Sequence, residues 1–341
     1  MILSGNAPES IAFAADSIRA GALIGLPTET VYGLAADADS AAAVAKIFAA
    51  KGRPSNHPLI VHVADASGVP HFADEVPEFA ARLMAAFWPG PLTLILPRRD
   101  GVAAAAAGGQ NSVGLRCPSH PVAQALLKSL DAGTPPVRGL AAPSANQFGR
   151  VSPTTAVHVQ SEFGSDLLVL DGGPCDVGIE STIVDCTRGL PVLLRPGVIT
   201  RAQLDTACGQ QVLLKEELPE HMVEGPRASG TLESHYAPAA KVRLMDGKAL
   251  QTALNMLGSD MDAKGGTQPV IATYSRSTLR CASSRVIQRR MPDDAAATAQ
   301  QLFAVLREFD TQGVKLIWIE TLPKDAEWDG VRDRLARASA A

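Results

Sequence analysis

The sequence lacks several features that would assign it to a broad class of protein. No apolar run is long enough to span a bilayer, and the first ten residues, MILSGNAPES, lack the basic segment and apolar core of an export signal. We therefore expect a cytoplasmic protein with no membrane association. The five cysteines are an odd number and are scattered without a C-x-x-C pair, which argues against both a disulfide framework and a structural zinc site.

Well-known catalytic and nucleotide-binding motifs are also missing. The chain has no G-x-x-x-x-G-K-[ST] loop, no G-x-G-x-x-G turn between a strand and a helix, and no G-x-S-x-G elbow. His57 and His62 flank an apolar run with a spacing that points them to opposite faces of a strand, so we expect no metal site there. Any use of a nucleotide has to be argued from other residues.

The composition is that of a globular protein with two domains. Hydrophobic residues make up 46% of the 341 positions, which is enough for buried sheets, and the length exceeds that of one typical core. The net charge of −4 excludes a generally basic nucleic-acid binder but allows one local positive surface.

Apolar runs rich in β-branched residues alternate with alanine-rich helical segments, and this rhythm predicts an α/β fold. Helices are expected at 8–20, capped by Asn6, at 40–50 and at 77–87. Strands are expected at 22–26, 59–63, 92–96, 113–116, 139–142, 167–170, 182–186 and 192–194. Several strands are too close in sequence for a crossover helix, so the predicted sheet is twisted and mixed.

The alternation weakens after residue 200 and restarts near residue 241. The segment 201–240 is rich in Gly, Pro and Ser and is predicted to be an interdomain linker. Residues 1–200 then form the first domain, and residues 241–341 form a smaller Rossmann-like α/β domain beginning with the strand KVRLM.

The loop KGRPSNHP, residues 51–58, concentrates groups that can hold an anion. Its donors are Lys51, Arg53, Ser55, Asn56 and His57. Such a loop suits phosphate. A solvated basic turn that closes the preceding helix is equally consistent with the loop alone, because cations are common at helix C-termini.

Three further clusters place polar groups next to strands. Ser144, Asn146 and Ser152 lie between a strand and a predicted helix, where α/β sheets bind ligands, although Ser152 before Pro153 is also typical of an N-cap. In the segment 171–185, glycines allow the backbone to approach a ligand and Ser181 offers a polar group to it. The alternative for this segment is a glycine-rich hairpin. Arg116 and Arg195 each end a strand, where an arginine can clamp a phosphate or carboxylate or form a surface ion pair.

Taken together, these segments resemble the YrdC-like family of threonylcarbamoyl-AMP synthases. The text that carries the resemblance is PTETVYGL, KIFAAKGRPSNHPLIVHV, WPGPLTLIL, SVGLRCPSHP, APSANQFGRVSPT, DGGPCDVGIESTIVD and LLRPG, in the family's order over residues 7–200. The linker ending SGTLESHYAP and the extra α/β unit resemble the two-domain form of that family.

The resemblance implies an enzyme that makes threonylcarbamoyl-AMP and pyrophosphate from L-threonine, bicarbonate or CO2, and ATP with Mg2+. The product would pass to threonylcarbamoyl transferase proteins that modify tRNA, with a possible tRNA contact. Catalytic roles are implied for Lys51 and Arg53, which we expect to be solvent-accessible. ATP-binding roles are implied for Lys51, Arg53, His57, Ser112, Ser144, Asn146, Ser152 and Arg195. Roles in binding threonine are implied for Thr30, His62, Arg116, Ala142 and Ser181.

Two positions depart from the family pattern. His57 stands where relatives often have asparagine, and Glu233 stands where two-domain relatives can place a tyrosine. The linker is interpreted as a possible lid over the site through His235 and Tyr236.

Two other functions are compatible with parts of the sequence. A hydrogenase maturation carbamoyltransferase contains a similar domain, but its acylphosphatase and zinc-finger segments are absent from this sequence. A non-catalytic RNA-binding or ribosome-associated protein could use the same basic concave surface, and it would bind RNA in a salt-sensitive way without threonine.

Overall fold

The computed structural model describes residues 1–222, 224–231, 235–263 and 269–340. The chain divides into two compact units, one formed by residues 1–148 and 152–231 and the other by residues 149–151 and 232–341. Each unit contains its own sheet and helices. In the described part of the chain, no helix combines the length and the apolar character that crossing a membrane requires.

The described part of the first unit contains eleven strands and seven α-helices. The strands are β1 (Ile2–Ser4), β2 (Ile24–Leu26), β3 (Gly33–Asp37), β4 (Ile60–His62), β5 (Leu92–Pro97), β6 (Ser112–Arg116), β7 (Leu140–Ala141), β8 (Leu168–Asp171), β9 (Thr182–Asp185), β10 (Val192–Arg195) and β11 (Leu213–Leu214). The helices are α1 (Pro8–Arg19), α2 (Ala41–Lys51), α3 (Val69–Phe72), α4 (Glu78–Phe87), α5 (Pro121–Asp131), α6 (Ala156–Phe163) and α7 (Arg201–Cys208).

These strands form one mixed sheet in the order β1-β8-β2-β3-β7-β4-β6-β5-β9-β10-β11. β2 pairs with β3 and β5 with β6 in antiparallel fashion, whereas β4 runs parallel to β6 and β5 parallel to β9. The predicted mixed α/β sheet is therefore confirmed. Strand-end residues from distant parts of the sequence meet in this order, for example His62 of β4 directly opposite Arg116 of β6.

The sheet buries both of its faces, as alternate residues along a strand show. On β3, Ala35 belongs to a core cluster with α1 and α5, while Leu34 and Ala36 belong to a second cluster with α2, α4 and α7. The same alternation occurs on β8, where Leu168 and Leu170 face the first cluster and Val169 the second. Two helical layers therefore enclose the sheet.

Two predicted helix caps are wrong. α1 begins after Ala7, which makes no side-chain cap, so Asn6 does not cap it. α6 begins later than the sequence suggests, because the Thr155 hydroxyl accepts from the His158 amide and fixes the start there. Ser152 is therefore not an N-cap. The end of α2 agrees with the sequence, with Gly52 in the left-handed region.

The second unit contains a four-stranded sheet in which all strands run parallel, in the order β12-β15-β13-β14. Its described elements are β12 (Lys241–Met245), α8 (Gly247–Ala263), β13 (Ile271–Ser275), β14 (Val286–Arg290), α9 (Ala295–Thr311), β15 (Leu316–Glu320) and α10 (Asp329–Ser339). Leu250 and Leu254 of α8 pack with Ile271 and Trp318 in its core. This architecture agrees with the Rossmann-like expectation.

Candidate active site

Lys51 ends α2 and turns its ammonium into the protein rather than into solvent. It is 2% exposed, and its Nζ donates to the carbonyl oxygens of Ser144 at 2.6 Å and of Asn146. Burial, aided by the charge of Arg53, lowers the pKa of Lys51 to about 7. The expected solvent accessibility is wrong, because neutral backbone oxygens from the segment after β7 cover this cation.

Arg53 is also buried, at 7% exposure, and holds the KGRPSNHP loop together. Its Nη2 donates to the Pro58 carbonyl at 2.9 Å and to the Ser229 hydroxyl at 3.3 Å, and its guanidinium carbon lies 5.7 Å from the ring centroid of Phe148. His57 meets the edge of the same ring at 5.5 Å. Partial burial, together with Arg53 and Arg227, lowers the pKa of His57, so this side chain is neutral near pH 7.

Arg195 ends β10 and approaches Ser229 from a different element. Its Nη1 donates to the Ser229 carbonyl at 2.8 Å, and its Nε and Nη2 donate to the backbone and the hydroxyl of Ser181 at 3.0 and 3.2 Å. Ser181 shares a 2.7 Å hydrogen bond with Thr93, whose register partner on β6 is Arg116. Hydrogen bonds therefore connect Arg195 through Ser181 to Thr93, which lies opposite Arg116 in the sheet.

The glycine of LLRPG is required for the approach of this loop to β9. A Cβ on Gly197 would lie 2.6 Å from the amide nitrogen and from the hydroxyl of Thr182. Real Cβ atoms do not come so close to backbone, so a larger residue would displace either the loop or the strand that follows Ser181.

Linker residues close a small cavity beside Ser112. The cavity has a volume of about 10 Å³, and Ser112, Thr93 and residues 227–229 are among those that line it. Arg227 is held there through its amide, which donates to Gln110 Oε1 at 2.7 Å, and its Nη2, which donates to the Gly108 carbonyl at 3.1 Å.

The segment after β7 supplies Ser144, Asn146 and Ser152. Ser144 forms a bridge with Gly33, and both Ser144 and Asn146 offer carbonyl oxygens to Lys51. Ser152 is completely buried, and its hydroxyl donates to Glu180. The structure thus brings the cluster of Ser144, Asn146 and Ser152 into contact with the segment 171–185.

A buried ion pair defines the other side of the site. Arg116 Nη2 lies 2.7 Å from Glu29 Oε1, and the two side chains are 4% and 6% exposed. Arg116 Nη1 donates to the Thr30 hydroxyl at 2.8 Å, and the Ser119 amide donates to the second oxygen of Glu29 at 3.1 Å. Glu29 and Thr30, both in PTETVYG, therefore fix the Arg116 guanidinium from two sides.

His62 and Ala142 lie next to this ion pair through strand pairing. The His62 backbone is opposite both Arg116 and Leu140, and the Ala142 amide donates to the Ile60 carbonyl at 3.0 Å. Burial and the charge of Arg116 lower the pKa of His62 to about 3. The imidazole is therefore neutral at physiological pH and can offer one donor and one acceptor.

Sequence reasoning missed Glu29, Thr93, Phe148 and Ser229. Glu29 could have been noticed as a carboxylate inside PTETVYG, but nothing in the sequence indicates its pairing with Arg116. Ser229 lies in the linker, far in sequence from both arginines that it contacts.

The predicted lid residues and Glu233 belong to the predicted linker, residues 201–240. His235 and Tyr236 pack within the second unit, where the His235 amide donates to the Arg337 carbonyl and the Tyr236 ring lies 5.6 Å from Phe303. Glu233 lies outside the described residues. The search of the described residues for three or more His, Cys, Asp or Glu side chains able to hold a metal ion found none.

The mixed sheet with its helical layers and its buried arginines and lysine define an α/β protein with several cationic side chains held inside its first unit. A family profile described as "Telomere recombination" matches residues 16–197, and one described as "Threonylcarbamoyl-AMP synthase, C-terminal domain" matches residues 199–340. The chain belongs to the threonylcarbamoyl-AMP synthase family, in the form that has both of these regions. The resemblance noted from the sequence is confirmed.

Individual relatives agree over nearly the full length. A threonylcarbamoyl-AMP synthase of Bacillus subtilis is 37% identical over 340 residues, which cover 99% of this chain and 94% of that protein. The protein of the same name from Pyrococcus abyssi is 36% identical, with 96% and 94% covered. The crystal structure of Pyrococcus abyssi Sua5 complexed with L-threonine matches with a TM-score of 0.86 at 33% identity, covering 99% of this chain and 97% of that one.

Proposed function

We propose that this chain condenses L-threonine, bicarbonate or CO2, and ATP into threonylcarbamoyl-AMP and pyrophosphate. One observation carries the proposal: Arg53 and Arg195, from separate elements, converge on the oxygens of Ser229, and Lys51 lies in the same loop as Arg53. Phosphate oxygens are acceptors of the same kind, and a group of three cations matches a triphosphate.

The ATP-binding residues in this proposal surround that point of convergence. Lys51, Arg53 and Arg195 hold the phosphates. His57, in the same loop, and Asn146, whose carbonyl oxygen accepts from Lys51, are proposed to contribute further contacts, together with Ser112, Ser144 and Ser152. The neutral state of His57 leaves it able to accept or donate a hydrogen bond without adding charge.

The threonine-binding residues are proposed on the Arg116 side. Arg116 offers its guanidinium to the amino-acid carboxylate, and the Thr30 and Ser181 hydroxyls with neutral His62 orient the rest of the molecule. Ala142 contributes backbone and a small side chain beside them. Thr93 and Ser181 connect the two sides, so both substrates would meet there.

The chemistry requires positioning more than covalent catalysis. The threonine amine attacks CO2 and loses a proton to give a carbamate, a carbamate oxygen then attacks the α-phosphorus, and the bond to pyrophosphate breaks. Lys51 and Arg53 neutralise the charge that builds on the leaving pyrophosphate. Mg2+ carried by the nucleotide would add further charge neutralisation when bound.

The linker is proposed to respond to ATP. Ser229 accepts hydrogen bonds from both Arg53 and Arg195. These bonds must be exchanged for bonds to phosphate when the nucleotide enters. This motivates a lid that includes the linker up to His235 and Tyr236. If deletion of residues 229–238 leaves ATP affinity and turnover unchanged, the lid is refuted.

The product is an activated carbamoyl group, and we propose that it serves threonylcarbamoyladenosine formation in tRNA. Downstream threonylcarbamoyl transferase proteins would use it, with a possible direct tRNA contact by this chain, in the cytoplasm. The experiments below do not depend on these partners.

The test is to incubate the purified chain with ATP, Mg2+, bicarbonate and L-threonine and to follow pyrophosphate release, with the adenylate identified by mass spectrometry. We expect Lys51→Ala and Arg53→Ala each to reduce turnover by roughly 100-fold or more, because each removes a positioned charge that acts on the leaving group.

Lys46→Ala is the matched control. Lys46 lies on the same helix but is exposed and donates to the Gly21 carbonyl, so its variant should keep full activity. Folded wild-type protein that makes no adenylate would overturn the proposal, and full activity in either Lys51→Ala or Arg53→Ala would remove that residue from the mechanism.

A further inference from the structure

A second polar cavity lies in the C-terminal unit, at the carboxyl edge of its parallel sheet. β13 and β14 run parallel and end at Ser275 and Arg290, and a cavity of about 210 Å³ opens beside those ends. Thr273, Ser275, Ser277, Gln288, Arg289 and Arg290 are among the residues that line it. Open parallel α/β sheets bind ligands outside the carboxyl ends of their strands.

One wall of this cavity is a turn that a single carboxylate holds rigid. Glu320, at the end of β15, accepts from the Ser275 hydroxyl at 2.6 Å and from the Ser277 amide and hydroxyl at 2.7 and 3.0 Å. Hydrogen bonds from the serines lower the pKa of Glu320 against the effect of burial, so it stays ionised. The turn is therefore organised before any ligand arrives.

Gly247 makes this arrangement possible. It is the first residue of α8, and a Cβ there would lie 2.7 Å from Ser277 Oγ and 3.5 Å from Glu320 Oε1. The close approach of the helix start, the serine turn and the carboxylate is thus built into the sequence.

The charge around the cavity is positive although the chain as a whole is acidic. Residues 269–292 contain five arginines and no aspartate or glutamate. Arg276 lies 3.6 Å from Glu320, and Arg290 forms a two-pronged pair with Asp293 at 2.9 and 3.0 Å. Arg289 is the register partner of Tyr274, so its side chain lies on the other face of the sheet, whereas Arg290 shares the face of Thr273, Ser275 and Gln288.

The lining favours a small molecule that carries both a phosphate and hydroxyl groups. Guanidinium groups suit phosphate, and the buried hydroxyls of Thr273 and Ser275 with the Gln288 amide suit alcohols. The cavity, at about 210 Å³, is smaller than sites for drug-sized ligands, which measure roughly 300–1,000 Å³. It is therefore too small for a dinucleotide.

We propose that this cavity binds a sugar phosphate of about pentose size, independently of the ATP and threonine site. The phosphate lies against Arg290, whose exposed pair with Asp293 it replaces, and the sugar hydroxyls bond Thr273, Ser275 and Gln288 on the same face of the sheet.

The test is isothermal titration calorimetry of the full chain with ribose 5-phosphate, and in a second arm with inorganic phosphate. We expect ribose 5-phosphate to bind more tightly than phosphate alone. Arg290→Glu should weaken that binding by roughly tenfold or more, because it replaces a charge-assisted hydrogen bond with repulsion. Thr273→Val keeps the shape of the side chain and should weaken binding by about fivefold.

Two controls separate this cavity from other anion sites. Arg243→Glu reverses an exposed charge on β12, at the other edge of the same sheet, and should bind like the wild type. Arg53→Ala should also bind like the wild type, while Arg290→Glu should retain threonine-dependent pyrophosphate release.

Three outcomes overturn the proposal. The first is no heat of binding with ribose 5-phosphate. The second is binding that Arg290→Glu and Thr273→Val both retain, or that Arg53→Ala abolishes. The third is binding of a tRNA transcript through Arg290 in the absence of ribose 5-phosphate binding, which would assign the surface to RNA.

Discussion

The ion pair between Glu29 and Arg116 gives a prediction that tests both the stability of the first unit and the assignment of the threonine site. The perturbation is Glu29→Gln, which keeps the size of the side chain and removes its charge. Both partners are almost fully buried, and their charged atoms are 2.7 Å apart. Removing one member of a buried pair leaves the other uncompensated, which we expect to lower the free energy of unfolding by about 3 kcal/mol.

The control is Glu217→Gln, which breaks a partly exposed pair with Arg201 in the same unit. Exposed pairs contribute little, so the expected loss is much smaller than that of Glu29→Gln. Both variants and the wild type are unfolded in urea and followed by circular dichroism. If Glu29→Gln and Glu217→Gln lose equally little stability, the reasoning from burial is refuted.

The same measurement repeated with saturating L-threonine tests the role of Arg116. If the threonine carboxylate meets Arg116, threonine should stabilise Glu29→Gln more than it stabilises the wild type, because the ligand then supplies the missing negative charge. An equal or smaller stabilisation of the variant would contradict the assignment of Arg116 to the carboxylate.

Two further predictions concern Lys51 and Gly197. Affinity for a non-hydrolysable ATP analogue should fall by roughly tenfold from pH 6.5 to 8.5, because burial lowers the pKa of Lys51 to about 7 and its cation is lost above that pH. Lys51→Arg stays charged, so its affinity for the analogue should fall much less over the same pH range. Identical pH profiles for the variant and the wild type would exclude Lys51 as the source of the decline. Gly197→Ala should reduce the free energy of unfolding by about 1–3 kcal/mol in urea, since its Cβ would press on Thr182. Gly114→Ala, whose Cβ would make only ordinary contacts from 3.5 Å, should lose far less, and equal losses would contradict the steric argument.

The sequence predicted elements well where apolar residues form continuous runs, and failed where they do not. β5 is apolar and was found nearly to its ends, because a strand covered on both faces has little polar character. β14 was missed, since VIQRR has two apolar residues and then exposed polar ones at a sheet edge. β3 was missed because GLAAD consists largely of small residues whose burial comes from neighbouring strands.

The sequence supplied the residue types of the proposed site but not their environment. The resemblance named Arg53 and Arg195, and the structure brings both to Ser229. The burial of Lys51 could not be predicted, because the carbonyl oxygens that cover it come from residues 144 and 146. Such contacts depend on sheet order, which local periodicity does not determine.

The position of β1 has a consequence for how the chain folds during its synthesis. This first strand pairs with β8, with Ile2 opposite Val169, so its partner is made long after it. At about 5–20 residues per second, β1 waits roughly 10–30 s for that partner. During this interval α1 carries an apolar face, formed by Ala14, Ala15 and Ile18, whose partners on α5 also follow much later. The N-terminal segment of the nascent chain therefore stays incompletely packed until β8 is made, and the sheet of the first unit is complete only after β9, β10 and β11 have followed.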